Sequence, residues 1–127
     1  MTFKLSTKKI ITWPVTIKAP VDGGQTQEFT CSAEFEIIDQ DEYNALINDD
    51  IAFLCRVVVG FGNDIAEEDG TPIPYNQKNK LRLFKAGGYI RLGFIDAYHR
   101  ASAGIAEKNL KGSPVTGRSA RKSRKKK

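Results

Sequence analysis

The chain has 127 residues, 40% hydrophobic and 28% charged, which is ordinary for a globular domain and excludes a low-complexity or collagen-like chain. No apolar run approaches the ~20 residues of a membrane span, and two cysteines with one histidine exclude a disulfide framework or a zinc ribbon. The formal charge of +5 belongs to one end: residues 112–127 carry seven basic groups and no acid, whereas the other 13 Lys/Arg against 15 Asp/Glu leave −2 elsewhere.

The start, MTFKLSTKK, has no apolar block long enough for a secretory signal, so the expected location is the cytoplasm in which the chain is made. Residues 10–19 alternate: Ile11, Trp13, Val15, Ile17 and Ala19 face one way, with Thr12, Thr16 and Lys18 opposite. Pro14 cannot donate a ladder hydrogen bond, which predicts an edge strand or a bulge. Pro20-Val21-Asp22-Gly23-Gly24 is turn chemistry. A second alternating run over 26–37 sets Phe29, Cys31, Ala33, Phe35 and Ile37 inward, completing a long hairpin. A lone hairpin is marginal in water, so this face is expected to pack on helices or on another subunit.

Asp39 with Glu42 resembles a capping box and predicts a helix over 40–48. Asp49-Asp50 can cap a second, mostly apolar helix through Val59, although the β-branched run Val57-Val58-Val59 also suits a strand. Gly60 and Gly62 then allow an abrupt helix end. The segment VVVGFGNDIAEEDGTPIPY, residues 57–75, closes with the turn dipeptide Asp69-Gly70 and with Pro72 and Pro74, which hold the chain extended. A loop of this length in a small domain is more often functional than idle. Asn76 can cap a third helix through Ala86, with Leu81, Phe84 and Leu83 as candidates for the inward face. Gly87-Gly88 breaks it. A fourth helix over 89–103 is expected to group Leu92, Ile95 and His99 on one face, with Phe94, Tyr98 and Ala101 beside it.

These elements predict one α+β domain over residues 1–111, an N-terminal antiparallel hairpin or small sheet followed by about four helices. From 112 to 127 Gly, Ser, Pro, Lys and Arg dominate, so a disordered basic tail is expected. Its cations Arg118, Arg121, Lys122, Arg124, Lys125, Lys126 and Lys127 are candidate nucleic-acid contacts, sequence-tolerant and salt-sensitive. No aromatic residue is interleaved with them, and a solubilising end explains the same composition.

Catalytic chemistry is not indicated. His99 follows Tyr98 on an amphipathic helix, where a surface or satisfied core role outweighs a catalytic one. Gly60-x-Gly62 continues into no phosphate-binding fingerprint. Aligning Gly70 with the glycine of a calcium loop puts Ile65 at the first ligand position, which ends a calcium reading. No cofactor and no metal are expected. Cys31 and Cys55 read as two buried free thiols.

Gly60-Phe61, Ile65 and Glu68-Asp69-Gly70-Thr71-Pro72-Ile73-Pro74-Tyr75 resemble the central segment of the tail assembly chaperones of long-tailed bacteriophages. The order of elements from residue 3 to 110 matches the layout of that family: a β-rich start, a helix, an apolar helix ending in glycine and an aromatic, an acidic Asp-Gly-x-Pro loop, and one or two further helices. The resemblance implies a non-enzymatic, ATP-independent protein of the infected host cytoplasm, missing from the mature virion. Such a protein binds the tape-measure protein, keeps it soluble and helps recruit tail-tube protein; self-association is also compatible with it. Phe61, Ile65, Ile73 and Tyr75 are the candidate partner contacts, because apolar groups in the loop are least explained by core packing; the alternative is that they pin the loop to the helices. Two other functions remain open at this point, a small nucleic-acid-binding phage protein acting through the basic tail and a structural tail protein of the virion. The family often makes a second product by ribosomal frameshifting, and codons for Lys125-Lys126-Lys127 could supply a slippery run.

Overall fold

In a computed structural model of the chain, which describes residues 1–105, the two alternating segments pair as expected. β1 (Lys9–Val21) and β2 (Gln25–Ile37) run antiparallel with Lys9 opposite Ile37 and Val21 opposite Gln25. Asp22, Gly23 and Gly24 make the connection, with positive φ at both glycines (87° and 76°). A third strand, β3 (Val58–Phe61), adds to the far side of β2, giving the order β1-β2-β3. β1 is thus an edge strand, where Pro14 is tolerated. Ala33 faces Phe61, Glu34 faces Gly60 and Phe35 faces Val58, so the register slips by one residue at Val59.

β3 corrects the expectation of a helix through Val59. The second helix, α2 (Asp50–Val57), stops earlier, and the β-branched run becomes a strand because β2 offers it an open edge. Gly60 is accordingly a strand residue and not a helix terminus. The remaining helices are α1 (Gln40–Leu46), α3 (Gln77–Lys85) and α4 (Gly88–Ala103). The fold is α+β, a three-stranded antiparallel sheet at the N-terminal side followed by four helices. Residues 106–111 and the basic tail, with its seven candidate cations Arg118 to Lys127, lie outside the described residues.

The caps form where the side chains predict them. Asp39 Oδ1 accepts from the Glu42 amide at 2.8 Å, Asp49 Oδ1 from Ala52 at 3.1 Å, and Asn76 Oδ1 from Asn79 at 2.8 Å. The capping box is only half used: the Glu42 carboxylate turns to Arg56, which also pairs with Glu36 at 3.2 Å. One ion triad therefore joins the end of β2, α1 and α2.

α4 lies across the hairpin. Its buried face is Ile90, Gly93, Phe94, Ala97, Tyr98 and Ala101, whereas Leu92 is 69% exposed and His99 is exposed. Of the expected grouping, Leu92 and His99 are thus turned away from the core, while Ile95 is half-buried against it; Phe94, Tyr98 and Ala101, expected beside that grouping, are buried. Gly93 explains the rotation: a Cβ there would stand 2.6 Å from the Thr16 carbonyl oxygen. The helix backbone meets the strand backbone closely, and only the small-residue stripe permits it. Around this contact Phe35, Phe53, Phe84, Phe94 and Tyr98 fill the centre, with Phe53–Tyr98 and Phe84–Phe94 edge-on at 5.1 and 5.2 Å. The Tyr98 hydroxyl accepts from the Ile38 amide at 3.1 Å, and burial raises its pKa above the usual phenol value.

The layers differ in length. Strands of 13 residues span ~43 Å. The 16 residues of α4 span ~24 Å. The helices cannot cover the whole hairpin, and every residue from Pro20 to Thr30 is exposed.

Candidate functional site

The segment from Val58 to Tyr75 folds into a small lobe. Gly62 prolongs the pairing of β3 by donating to the Ser32 carbonyl at 2.9 Å. A Cβ on Gly62 would approach that same carbonyl oxygen to 2.8 Å, so glycine is what lets the chain turn away here. The Asp64 carboxylate accepts from the Ser32 amide at 3.0 Å and lies 3.3 Å from its hydroxyl. From Ile65 the chain doubles back: Ile73 donates to the Ile65 carbonyl at 2.9 Å, Ala66 bridges Pro72, and Glu67 donates to Thr71 at 2.8 Å. At the tip, Gly70 donates to Glu67, and Asp69 Oδ1 accepts from the Thr71 amide at 2.9 Å. That backbone donor holds the Asp69 carboxyl below its usual pKa. The paired Arg82 guanidinium does the same for Glu67 and ties the lobe to α3.

The four expected contact residues converge within this lobe, but mostly inward. Ile65 is 7% exposed and belongs to the core, and Phe61 and Ile73 are half-buried against it. Tyr75 is 41% exposed, yet its ring meets Phe61 edge-on at 5.2 Å and its hydroxyl donates to the Val58 carbonyl at 3.1 Å. Lys80 completes the arrangement. It is buried, and its ammonium donates to the Cys55 carbonyl at 2.7 Å and the Val58 carbonyl at 3.1 Å while lying over the Tyr75 ring. Those carbonyls end α2, where the helix dipole favours a cation. The lobe is therefore anchored by its apolar and aromatic groups.

Beside it lies an open hollow of about 280 Å³, bounded by Ile17, Phe29, Cys31, Ile65, Leu83 and Phe94, with Asp64 at the rim. Phe29 points to the helix-bearing face as its alternation predicts, but it stands where the hairpin outruns the helices and is 52% exposed. Burial, and secondarily the Asp64 charge, push the Cys31 thiol up to about 11, so it is protonated at neutral pH. Cys31 and Cys55 are free; Cys31 is buried and Cys55 partly so. Phe29 and Leu83 are not among the expected contacts, since neither carries a loop signal. Lys80 does have a signal in the sequence: its i, i+4 spacing to Phe84 places a lysine on the apolar face of α3.

His99 is exposed, with Nε2 2.7 Å from the Tyr43 hydroxyl. Among the described residues no group of three His, Cys, Asp or Glu is placed to hold a metal ion, and no helix is long and apolar enough to cross a membrane. Compared with protein-family models, curated proteins and solved structures, the chain gives no match.

Proposed function

We propose that this chain is a tail assembly chaperone of a long-tailed bacteriophage, acting on the tape-measure protein in the host cytoplasm without covalent chemistry and leaving before the virion matures. The order of elements and the segment from Gly60-Phe61 to Pro74-Tyr75 support this reading through the family they resemble. The observation that carries a binding role is Phe29, half out of water over the hollow lined by Ile17, Cys31, Ile65, Leu83 and Phe94. An apolar groove at the edge of a helix layer suits an apolar stripe on a long helical client. The client surface is accordingly centred on Phe29 and Leu83, with Ile65 in its wall; Phe61, Ile73 and Tyr75 serve it by anchoring the lobe that carries Ile65.

Co-expression tests this directly: the chain raises the soluble yield of the tape-measure protein, and Phe29→Asp removes most of that gain. Equal client solubility with and without the chain contradicts the proposal. Recovery of the chain from purified virions would instead identify a structural tail component.

A second reading rests on the tail cations Arg118 to Lys127, which supply seven basic groups without an acid. It predicts salt-sensitive retention on DNA or RNA that disappears on removal of residues 113–127. Retention that survives the deletion contradicts it.

A further inference from the structure

Ser32 fixes which way the backbone of β2 points. Its amide donates to Asp64 at 3.0 Å and its carbonyl accepts from Gly62 at 2.9 Å, so both groups face away from β1. The register of β1 on β2 runs without a bulge, and such positions alternate along an antiparallel strand. Thr30, Glu28 and Thr26 therefore aim their amides and carbonyls the same way, past the point where β3 ends. All three residues are exposed, and no group among the described residues pairs with those amides and carbonyls.

On the other side of the sheet the same alternation points Pro14, Thr16 and Pro20 of β1 outward. The prolines lack the donor an added strand needs, and α4 closes over the Thr16 carbonyl at Gly93. β1 is a protected edge. The stretch of β2 from Thr26 to Thr30 has neither proline nor lysine, and an open edge of this kind is a template for another strand.

The hollow lies beside this edge, for Thr30 lines it together with Phe29, Cys31, Ile65 and Leu83. A strand laid along Thr26 to Thr30 turns alternate side chains toward the hollow and the others toward the outer face. Neither β2 nor residues 62–71 contain a lysine or arginine, whereas Glu28, Glu34, Asp64 and Glu68 stand there. The matching segment thus alternates apolar with basic residues. The first residues of the same chain cannot supply it. Lys9 faces Ile37, and from there Thr30 lies ~24 Å and Thr26 ~37 Å along the strand. Residues 1–8 span at most ~29 Å when fully extended.

We infer that the β2 edge at Thr26 to Thr30 binds an extended segment of a partner protein, alternating apolar and basic residues, by strand addition. Such a strand needs only the edge and the hollow, whether or not a helical client also uses Phe29.

Amide hydrogen exchange followed by NMR tests this on the full chain, with a synthetic peptide of alternating valine and lysine as the probe. The amides of Thr26, Glu28 and Thr30 exchange freely in the chain alone and slow at least about tenfold at saturating peptide. Directly opposed residues share a face, so the peptide's lysine amides are the ones that pair with this edge. N-methylation of those amides keeps the side chains and weakens binding at least about tenfold, whereas methylation of the valine amides does not. Glu28→Pro removes one edge donor without touching the ladder to β1 and also weakens binding. Three amides left unslowed by the peptide, or equal binding of the lysine-methylated peptide, overturns the inference. So does protection of these amides in the chain alone, which would put a segment of this chain, from the same or a second copy, on the edge. If Glu28→Pro does not fold, the methylated peptides decide on the unaltered chain.

Discussion

The Lys80 ammonium lies 5.1 Å from the centre of the Tyr75 ring, and both side chains donate to one acceptor, the Val58 carbonyl. The junction between α2 and β3 is held at that point. A lysine buried on α3 and a tyrosine from the lobe satisfy carbonyls that a helix end would otherwise leave open. Replacing Lys80 by Met keeps the stem and removes the donors, an expected loss of ~1–3 kcal/mol by urea denaturation. Tyr75→Phe removes one neutral hydrogen bond and costs ~1 kcal/mol. Phe61→Ala and Tyr75→Ala couple by ~0.5–1.5 kcal/mol in a double-mutant cycle, because the rings touch. Unchanged unfolding midpoints for Lys80→Met and Tyr75→Phe would contradict the anchoring role.

Gly93 gives a second prediction. Alanine is the better helix former, so Gly93→Ala stabilises an unconstrained helix by ~1 kcal/mol. Here the added methyl must occupy a position 2.6 Å from the Thr16 carbonyl oxygen. The expected result is a destabilisation of ~1–3 kcal/mol, as for other overpacked contacts. A rise in melting temperature would show that α4 and β1 are less closely apposed.

Much of the architecture is legible from local pattern, and the misses share one cause. The hairpin, its edge strand and three helix caps follow from alternation, Pro14, Asp39, Asp49 and Asn76, all of which act within a few residues. β3 does not follow, because Val57-Val58-Val59 suits either a helix end or a strand and pairing with distant β2 decides. The buried face of α4 is legible only in part, for a related reason. Leu92 signals burial by hydrophobicity and is exposed, whereas Gly93 and Ala97 are buried for being small, a property visible only against the facing strand. The same holds at the candidate site: Phe29 looks like any inward strand residue until the helices are seen to stop short of it. Tyr75 looks like an exposed loop aromatic until its bond to Val58 is known.

Acid stability follows from the depressed carboxyls. Hydrogen bonding from Arg56 lowers the pKa of Glu36, Arg82 lowers that of Glu67, and the Thr71 amide lowers that of Asp69. In each case the folded pKa lies below the unfolded one, so the unfolded chain binds more protons in mild acid. The stabilisation is complete above the unfolded carboxyl values and is lost as pH falls through the folded ones. The melting temperature is therefore expected to be flat above about pH 5 and to drop below about pH 4. Arg56→Gln should shrink that drop by removing the cation shared by Glu36 and Glu42. A midpoint unchanged down to pH 3, roughly a unit below the carboxyl values, would contradict the assignment.

The central claim is that the hollow beside Phe29 holds an apolar segment of a client. The most direct measurement is the soluble fraction of the tape-measure protein co-expressed with the unaltered chain, with Phe29→Asp, or with no partner. A large soluble fraction is predicted only with the unaltered chain, while Phe29→Asp melts within a few degrees of it, as expected for a half-exposed site. A soluble fraction equal in all three cases, or equally high with Phe29→Asp, contradicts it.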